Sequence, residues 1–550
     1  MSAHRSICAV VTVAVAMALT PSRVQSDFAG RDESRAALDQ QGTRPALLVL
    51  VVVDQFRADY VETYGHQWTD GLREIFQHGA VYTHASVPYG AARTCTGHSS
   101  IATGTLPSMH GMVDNEWFDR ATGRFVGCTE DPRAAPVTLG QGRATEHHSA
   151  RHLRTPTLAD ELRRQASSPP HVVSLALKAR SAISLVGHGG ARTIAIWEED
   201  SGTWATSTSY ATVPLPEVTA FLAAHPVQAA RGALWERRLP TEAYLHDDRA
   251  PGEPVTPVFP HSLRPSFGAP FTPIWDASPF SDAYVGDFAV SLVDTLGLGS
   301  HEGTDLLLLG FAALDYVGHA YGPKSHEVQD VLARLDVVLG RLLSALDQRI
   351  GRDRYVLALT SDHGVANLPI GIGGRVQLGA VGRAVDAALS NALGRRPAVR
   401  AISGSSIYLA PGVIETVRSS PPLGALVERT LGNVPGVARV FWGDQLAATD
   451  ATGDVLLAAM RSSYVADRSG DLMFVPERGW VIGEAGTNHG TPYDYDTRVP
   501  LALMGGRVAA GRFSGPSSIL DVAPTLAALA GIRMPRAQGR VLTDAVGRVP

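Results

Sequence analysis

The stretch from Ala46 to Val53 reads ALLVLVVV and stops at Asp54. A run with no polar position cannot alternate between a wet and a dry face. It therefore belongs to a strand covered on both sides, as in a parallel sheet with helices above and below. Asp54 then sits at the carboxyl end of a buried strand. The same pattern returns at Val172 to Leu177, Arg192 to Trp197, Asp305 to Leu314, Tyr355 to Thr360 and Val499 to Met504, each a short apolar run bounded by polar or turn residues. At least six strands are implied.

Parallel strands need crossover connections, and one is legible in full. Val328, Val331, Leu332, Leu335, Val338, Leu339, Leu342, Leu343 and Leu346 recur at helical spacing, with Ser325 placed to cap the start. Strand, helix and strand in alternation predict an α/β fold: a doubly wound, mostly parallel sheet with helices on both faces and loop or cap insertions. In such sheets ligands bind beyond the carboxyl ends of the strands, so the chemistry should gather at that edge.

Within the 550 residues, His4 and Arg5 precede an apolar run of 13 residues from Ile7 to Leu19, followed by Pro21 and small or polar residues to Ser26. This is the pattern of a secretory signal peptide, and it falls short of the roughly 20 residues that a bilayer-spanning helix needs. The expected organisation is a signal peptide at 1–26, a linker at 27–45 and one catalytic domain at 46–550. The chain is accordingly expected in the periplasm or secreted, with no stable membrane anchor. Pro-rich stretches such as Pro251 to Pro279, and a mixture of short helices and loops at 376–473, suggest insertions at about 200–290 and 376–473. Ser517 to Ile532 reads as a last capped helix. With a net charge of -5 and 18% charged residues, the chain has no basic excess to hold a nucleic acid. Cys95 and Cys128 form an even pair that an oxidising compartment could join, but two buried thiols would look the same in sequence.

Four places set acids and imidazoles where strands end: Asp54, Asp315 with His319, Asp362 with His363, and His489. Imidazole together with carboxylate suits zinc, and six such ligands make two open sites of about three protein ligands each. Any one of these residues alone could be a helix cap or a hydrogen-bonded structural histidine; the joint placement on one edge points to metal. The segment from Ala92 to Gly104 reads as a turn entering a helix with Thr94 at its start. There the helix dipole favours an alkoxide, although Thr94 could simply cap the helix. Lys178 and Arg180 follow the strand that begins near Val172, and i, i+2 spacing on an extended segment sends both side chains to one face, toward one anion.

The segments Arg93-Thr94-Cys95-Thr96-Gly97-His98, Gly111-Met112-Val113-Asp114-Asn115, Lys178 with Arg180, Asp315-Tyr316-Val317-Gly318-His319, Ser361-Asp362-His363-Gly364 and His489-Gly490-Thr491-Pro492-Tyr493 together resemble the PafA-type alkaline phosphatases. The resemblance runs from about Leu47 to Ile532. It implies two zinc ions: one held by Asp315, His319 and His489, the other by Asp54, Asp362, His363 and the Thr94 hydroxyl. It further implies that Thr94 is the nucleophile and becomes phosphorylated, and that Asn115, Lys178 and Arg180 contact the non-bridging phosphoryl oxygens. Thr96 departs from the family pattern, which more often has proline there.

The resulting expectation is a monomeric, exported phosphomonoesterase acting on small-molecule phosphate monoesters. A phosphodiesterase or nucleotide pyrophosphatase on the same metals is the alternative, and it should lack the Lys and Arg pair. A non-catalytic phosphate- or metal-binding protein is the remote one.

Overall fold

The structure, a computed structural model, describes residues 44–249, 252–253, 258–370, 373–394, 397–448 and 453–546. The expected signal peptide and nearly all of the expected linker lie outside these residues. Among the described residues no helix is long and apolar enough to cross a membrane.

The apolar run forms the strand Leu47–Val53, buried at every position. It lies between two parallel neighbours, Asp305–Phe311 and Tyr355–Thr360. Ten strands make the sheet, in the spatial order Gly511–Phe513, Ala80–Tyr82, Leu501–Gly505, Tyr355–Thr360, Leu47–Val53, Asp305–Phe311, Val172–Lys178, Thr193–Glu198, Trp204–Ser207 and Pro136–Thr138. Its centre, from Tyr355–Thr360 across to Thr193–Glu198, is parallel throughout. The outer strands Leu501–Gly505 and Trp204–Ser207 run antiparallel to it.

Alternate residues of the central strand feed two separate cores. Val49, Val51 and Val53 pack with Val285, Phe288, Leu332 and Leu339, which come from the helices Pro279–Thr295 and His326–Arg349. Leu48, Leu50 and Val52 pack on the other face with Ile101, Ile183 and Leu526 from the helices Thr94–Thr103, Ala179–Val186 and Val522–Leu529. Each fully buried aliphatic side chain of this kind contributes roughly 1.5–3 kcal/mol, so a strand dry on both faces anchors both helical layers. The Ser325 hydroxyl accepts from Val328 N and caps the crossover helix, as its sequence predicts.

Several boundaries differ from the sequence reading. The apolar run that begins at Asp305 leaves the sheet at Phe311 and continues as the helix Ala313–Tyr321. Composition does not separate a buried strand from the buried first turn of a helix. At the end of the chain, Ser517–Ser518 is a short strand and the helix proper begins only at Val522 after a 3₁₀ turn. The stretch 376–473 is more than short helices and loops. It holds a four-stranded antiparallel sheet, in the order Val399–Ser403, Ser406–Leu409, Leu472–Pro476 and Val437–Trp442. Val381, Leu389, Val427, Leu431 and Phe474 form its apolar core. Two of these strands carry exposed arginines, Arg400 and Arg439, which break up the apolar signal.

Candidate active site

Strand register assembles the site. Val53 pairs with Phe311 and Val52 with Thr360, so Asp54, the helix carrying Asp315, and the pair Asp362 and His363 leave the sheet side by side. Asp315 lies in the first turn of Ala313–Tyr321, and His319 follows one turn later on the same face. Thr94 is the first residue of Thr94–Thr103, with Arg93 at the cap. Two glycines permit the close approach of these elements. A Cβ at Gly97 would stand 2.4 Å from Asp362 Cβ, and one at Gly318 would stand 1.9 Å from Gln55 Oε1. Gln55 uses that space to donate from Nε2 to Asp315 Oδ1 at 2.7 Å.

Four histidines around this point share one hydrogen-bonding arrangement. Nδ1 of His319 bonds the carbonyl of Thr487 at 2.8 Å, that of His489 the carbonyl of Ala92 at 2.7 Å, that of His363 the carbonyl of Gly364 at 3.0 Å, and that of His98 the carbonyl of Thr94 at 2.9 Å. A carbonyl accepts only, so each Nδ1 carries a proton, and in the neutral ring each Nε2 presents a lone pair. His363 Nε2 lies 3.3 Å from both Asp54 Oδ1 and Asp362 Oδ2. His319 Nε2 lies 3.1 Å from Asp315 Oδ1, and His489 Nε2 lies 4.0 Å from the same oxygen. The rings of His363 and His489 stack with centroids 3.5 Å apart.

Burial makes these contacts consequential. Asp54 Oδ1, Asp362 Oδ2, His363 Nε2 and His98 Nε2 are all buried with no hydrogen-bond partner. Unpaired buried polar atoms are costly, and clusters of them mark a place built for something else. Burial, with Asp315 and Asp362 close by, pushes the Asp54 carboxyl up to about 6. Burial works against ionisation of Asp362 as well, yet His363 and His98 hold that carboxyl down at about 2. Burial also opposes the Asp315 carboxylate, but Lys178 and His319 keep it well below the usual range. His489 is driven well below an ordinary histidine by burial and by the neighbouring His363.

The donor set fits divalent cations. One ligand atom each from Asp54, Asp362 and His363, and one each from Asp315, His363 and His489, lie within 4.8 Å of one another in two groups that share His363. Carboxylate oxygens and imidazole nitrogens presented as lone pairs, with ring orientation fixed by second hydrogen bonds, are the ligands that zinc takes.

Lys178 and Arg180 sit differently from the sequence expectation. The strand ends at Lys178 and Arg180 already belongs to the first turn of Ala179–Val186, so i, i+2 on an extended segment is not what aligns them. The strand-to-helix turn does so instead: both line one cavity of about 180 Å³ together with Asn115. The Lys178 ammonium donates to Asp54 Oδ2 at 2.6 Å and to Asp315 Oδ2 at 2.5 Å, bridging the two acidic groups. It also lies 4.7 Å from the centre of the Tyr316 ring. Asn115 Oδ1 accepts from Cys95 N at 2.9 Å, joining it to the helix that begins at Thr94. Cys95 and Cys128 form a disulfide, and Cys128 N donates to Asn115 O at 2.8 Å. Gln55, His98 and Tyr316 are contributors that the sequence reading did not assign; their roles rest on contacts across the fold that spacing alone does not encode.

A parallel sheet with paired Asp and His clusters at its carboxyl edge and a helix N-terminus beside them defines a class of metal-site phosphoesterases. Residues 48–498 match the family model of type I phosphodiesterase / nucleotide pyrophosphatase, and the chain belongs to that family, within the alkaline phosphatase superfamily. Along nearly its whole length its likeness is to PafA-type alkaline phosphatases. It is 29% identical to alkaline phosphatase PafA of Elizabethkingia meningoseptica over 92% of this chain and 95% of that protein. It is 30% identical to alkaline phosphatase PhoK of a Sphingomonas species over 99% of this chain and 98% of that one. The crystal structure of wild-type PafA superposes with a TM-score of 0.83 at 28% identity, covering 92% of this chain and all of that one. Fold, site and relatives agree on a phosphoester hydrolase.

Proposed function

We propose that the chain is an exported, two-zinc phosphatase that hydrolyses phosphate monoesters through a phosphothreonine at Thr94. Asp315, His319 and His489 would hold one ion, and Asp54, Asp362, His363 and the Thr94 hydroxyl the other. The observation that carries the monoester reading is the convergence of Asn115, Lys178 and Arg180 on a single cavity next to the Thr94 helix. A monoester dianion has three non-bridging oxygens to fill such a set, whereas a diester has one fewer. Export rests on the basic, apolar and small-residue pattern of residues 1–26.

Bound zinc would supply positive charge for the developing oxyanions and lower the pKa of the hydroxyl it touches. The remaining work belongs to the chain. Thr94, on the first turn of its helix, aims its oxygen along the dipole and attacks phosphorus in line with the departing alcohol. Arg180 and Lys178 take charge building on the non-bridging oxygens, and Asn115 is fixed for the same task by its bond to Cys95 N. Gln55 holds the Asp315 carboxylate through Nε2, and His98 sets its Nδ1 3.1 Å from Asp362 Oδ2. Water then cleaves the phosphothreonine at phosphorus, releasing inorganic phosphate and restoring the Thr94 hydroxyl.

The deciding experiment is kcat/KM for an aryl phosphate monoester against its methyl diester on zinc-loaded protein, with and without Lys178→Ala plus Arg180→Ala. The reading expects a large monoester preference in the wild type, most of it lost in the double variant. A wild type that favours the diester would move the chain to the phosphodiesterase branch of its family, and no turnover of either would leave a binding protein.

A further inference from the structure

The cavity that holds Lys178 and Arg180 has an opposite wall of contrary charge. Glu198 ends the strand adjacent to the one that ends in Lys178, and the two residues are register partners. Asp276 closes the short helix Thr272–Asp276 and faces the same cavity, with Asp200 at its rim. Glu198 is only 7% exposed, and its Oε1 has no hydrogen-bond partner. Asp276 Oδ1 is likewise buried and unpaired. The two carboxyls bond each other only when one of them holds a proton; burial, with Asp276 close by, raises Glu198 well above an ordinary glutamate, and burial raises Asp276 to about 6 although its bond to Glu198 works the other way. Among the described residues no ion pair within 4.0 Å joins Arg180 to either acid, and the Arg180 Nε is also buried without a partner. The cavity therefore presents an orphan donor, Arg180 Nε, and the orphan acceptors Glu198 Oε1 and Asp276 Oδ1.

Two carboxylates held side by side with no donor between them call for a positive group with N–H bonds to give. An ammonium supplies three such bonds and can take the place of the shared proton. We infer that Glu198 and Asp276 form a cation subsite, and that the substrates this cavity favours are short aminoalkyl phosphate monoesters, with the phosphoryl group on Asn115, Lys178 and Arg180 and the ammonium on the acidic pair. A cavity of about 180 Å³ suits a linker of two or three carbons between the two charges. An apolar or anionic substituent would leave the acids unpaired or repel them, so the pair acts as a specificity filter. This inference rests on the monoester reading above.

The test compares 2-aminoethyl phosphate with ethyl phosphate on zinc-loaded wild type, Glu198→Gln and Asp276→Asn. The wild type should prefer the amine by about tenfold in kcat/KM, a typical return for a charge-assisted bond in a partly buried site. Each variant should lose most of that preference through KM, with ethyl phosphate unchanged within about twofold. Equal rates on the two esters in wild type would overturn the subsite, as would variants that lower both substrates alike. Binding of 2-aminoethylphosphonate and ethylphosphonate by calorimetry reads the same contrast without turnover. If no monoester is hydrolysed but the amine still binds about tenfold tighter and Glu198→Gln removes the difference, the subsite stands and the monoesterase reading falls.

Discussion

The two edges of the central sheet carry similar residues and do different work. At the carboxyl edge stand Asp54, Asp362 and Asp315 among His363, His489 and His319. At the amino edge Asp305, the first residue of its strand, stands with His171 and His301. Both edges stack a histidine pair, with ring centroids 3.5 Å apart at one and 3.8 Å at the other. The hydrogen bonds separate them. Asp305 Oδ1 accepts from His171 N at 2.8 Å, and Oδ2 accepts from Gly299 N at 2.9 Å and from His301 Nδ1 at 2.7 Å. Its carboxylate is used up in closing the turns that feed the sheet, and His171 Nδ1 is the one atom of the trio buried without a partner. At the carboxyl edge oxygens of two carboxylates and nitrogens of two histidines stay unpaired. Residue type finds candidates at both edges; counting unpaired atoms tells a binding centre from a structural clamp.

The sharpest way to break this contrast is activity. Thr94→Val in zinc-loaded protein is expected to lose on the order of 10³-fold or more in kcat on an aryl phosphate, while Asp305→Asn stays within about threefold of wild type. Steady-state kinetics on the two variants decides it, and a comparable collapse for Asp305→Asn would erase the distinction between the edges. Metal content comes next. Asp362→Ala and His489→Ala should each lower bound zinc by about one ion per chain, and His171→Ala with His301→Ala should leave it unchanged, read by elemental mass spectrometry.

Stability should respond with opposite signs. Asp305→Ala leaves three donors without their acceptor, one buried and two part-buried, and is expected to cost about 1–3 kcal/mol in urea unfolding. Asp54→Asn in metal-free protein at pH 8 should cost nothing or stabilise, because it removes a buried charge repelled by Asp315 and Asp362. The smallest effect is a pH slope. Asp54 binds its proton more tightly folded, at about 6, than at its ordinary 3.8. Its contribution to metal-free stability is therefore fully present below 3.8 and is lost as pH rises to about 6. Asp54→Asn should remove that part of the slope; an unchanged profile between these values would show that Asp54 does not titrate as described.

Much of the candidate site was legible because buried parallel strands advertise their ends. Asp54 and the Asp362 and His363 pair each follow an apolar run directly, and Asp315 follows one that merely hides a strand-to-helix switch after Phe311. What spacing could not carry was the handover from strand to helix at Ala179, which aligns Lys178 and Arg180 by a turn and not by strand alternation. The pairing of Cys95 with Cys128 was equally open in sequence, since an even count suits bonded and free thiols alike. His98 escaped assignment because its meaning lies in the approach of its Nδ1 to Asp362, a residue more than two hundred positions away. The four-stranded sheet within 376–473 stayed hidden for a different reason: its outer strands are half wet and too short for alternation to stand out.

The disulfide between Cys95 and Cys128 links the residue after Thr94 to a loop whose backbone also bonds Asn115. The proposed nucleophile and the proposed phosphoryl clamp thereby ride on a single covalent hoop. A chain made where thiols stay reduced would hold the two together without the covalent link, by core packing and the Asn115 bond to Cys95 N. Oxidation would then be the last step of maturation, and an enzyme built this way would stay quiet toward the phosphate pools of the compartment that synthesises it.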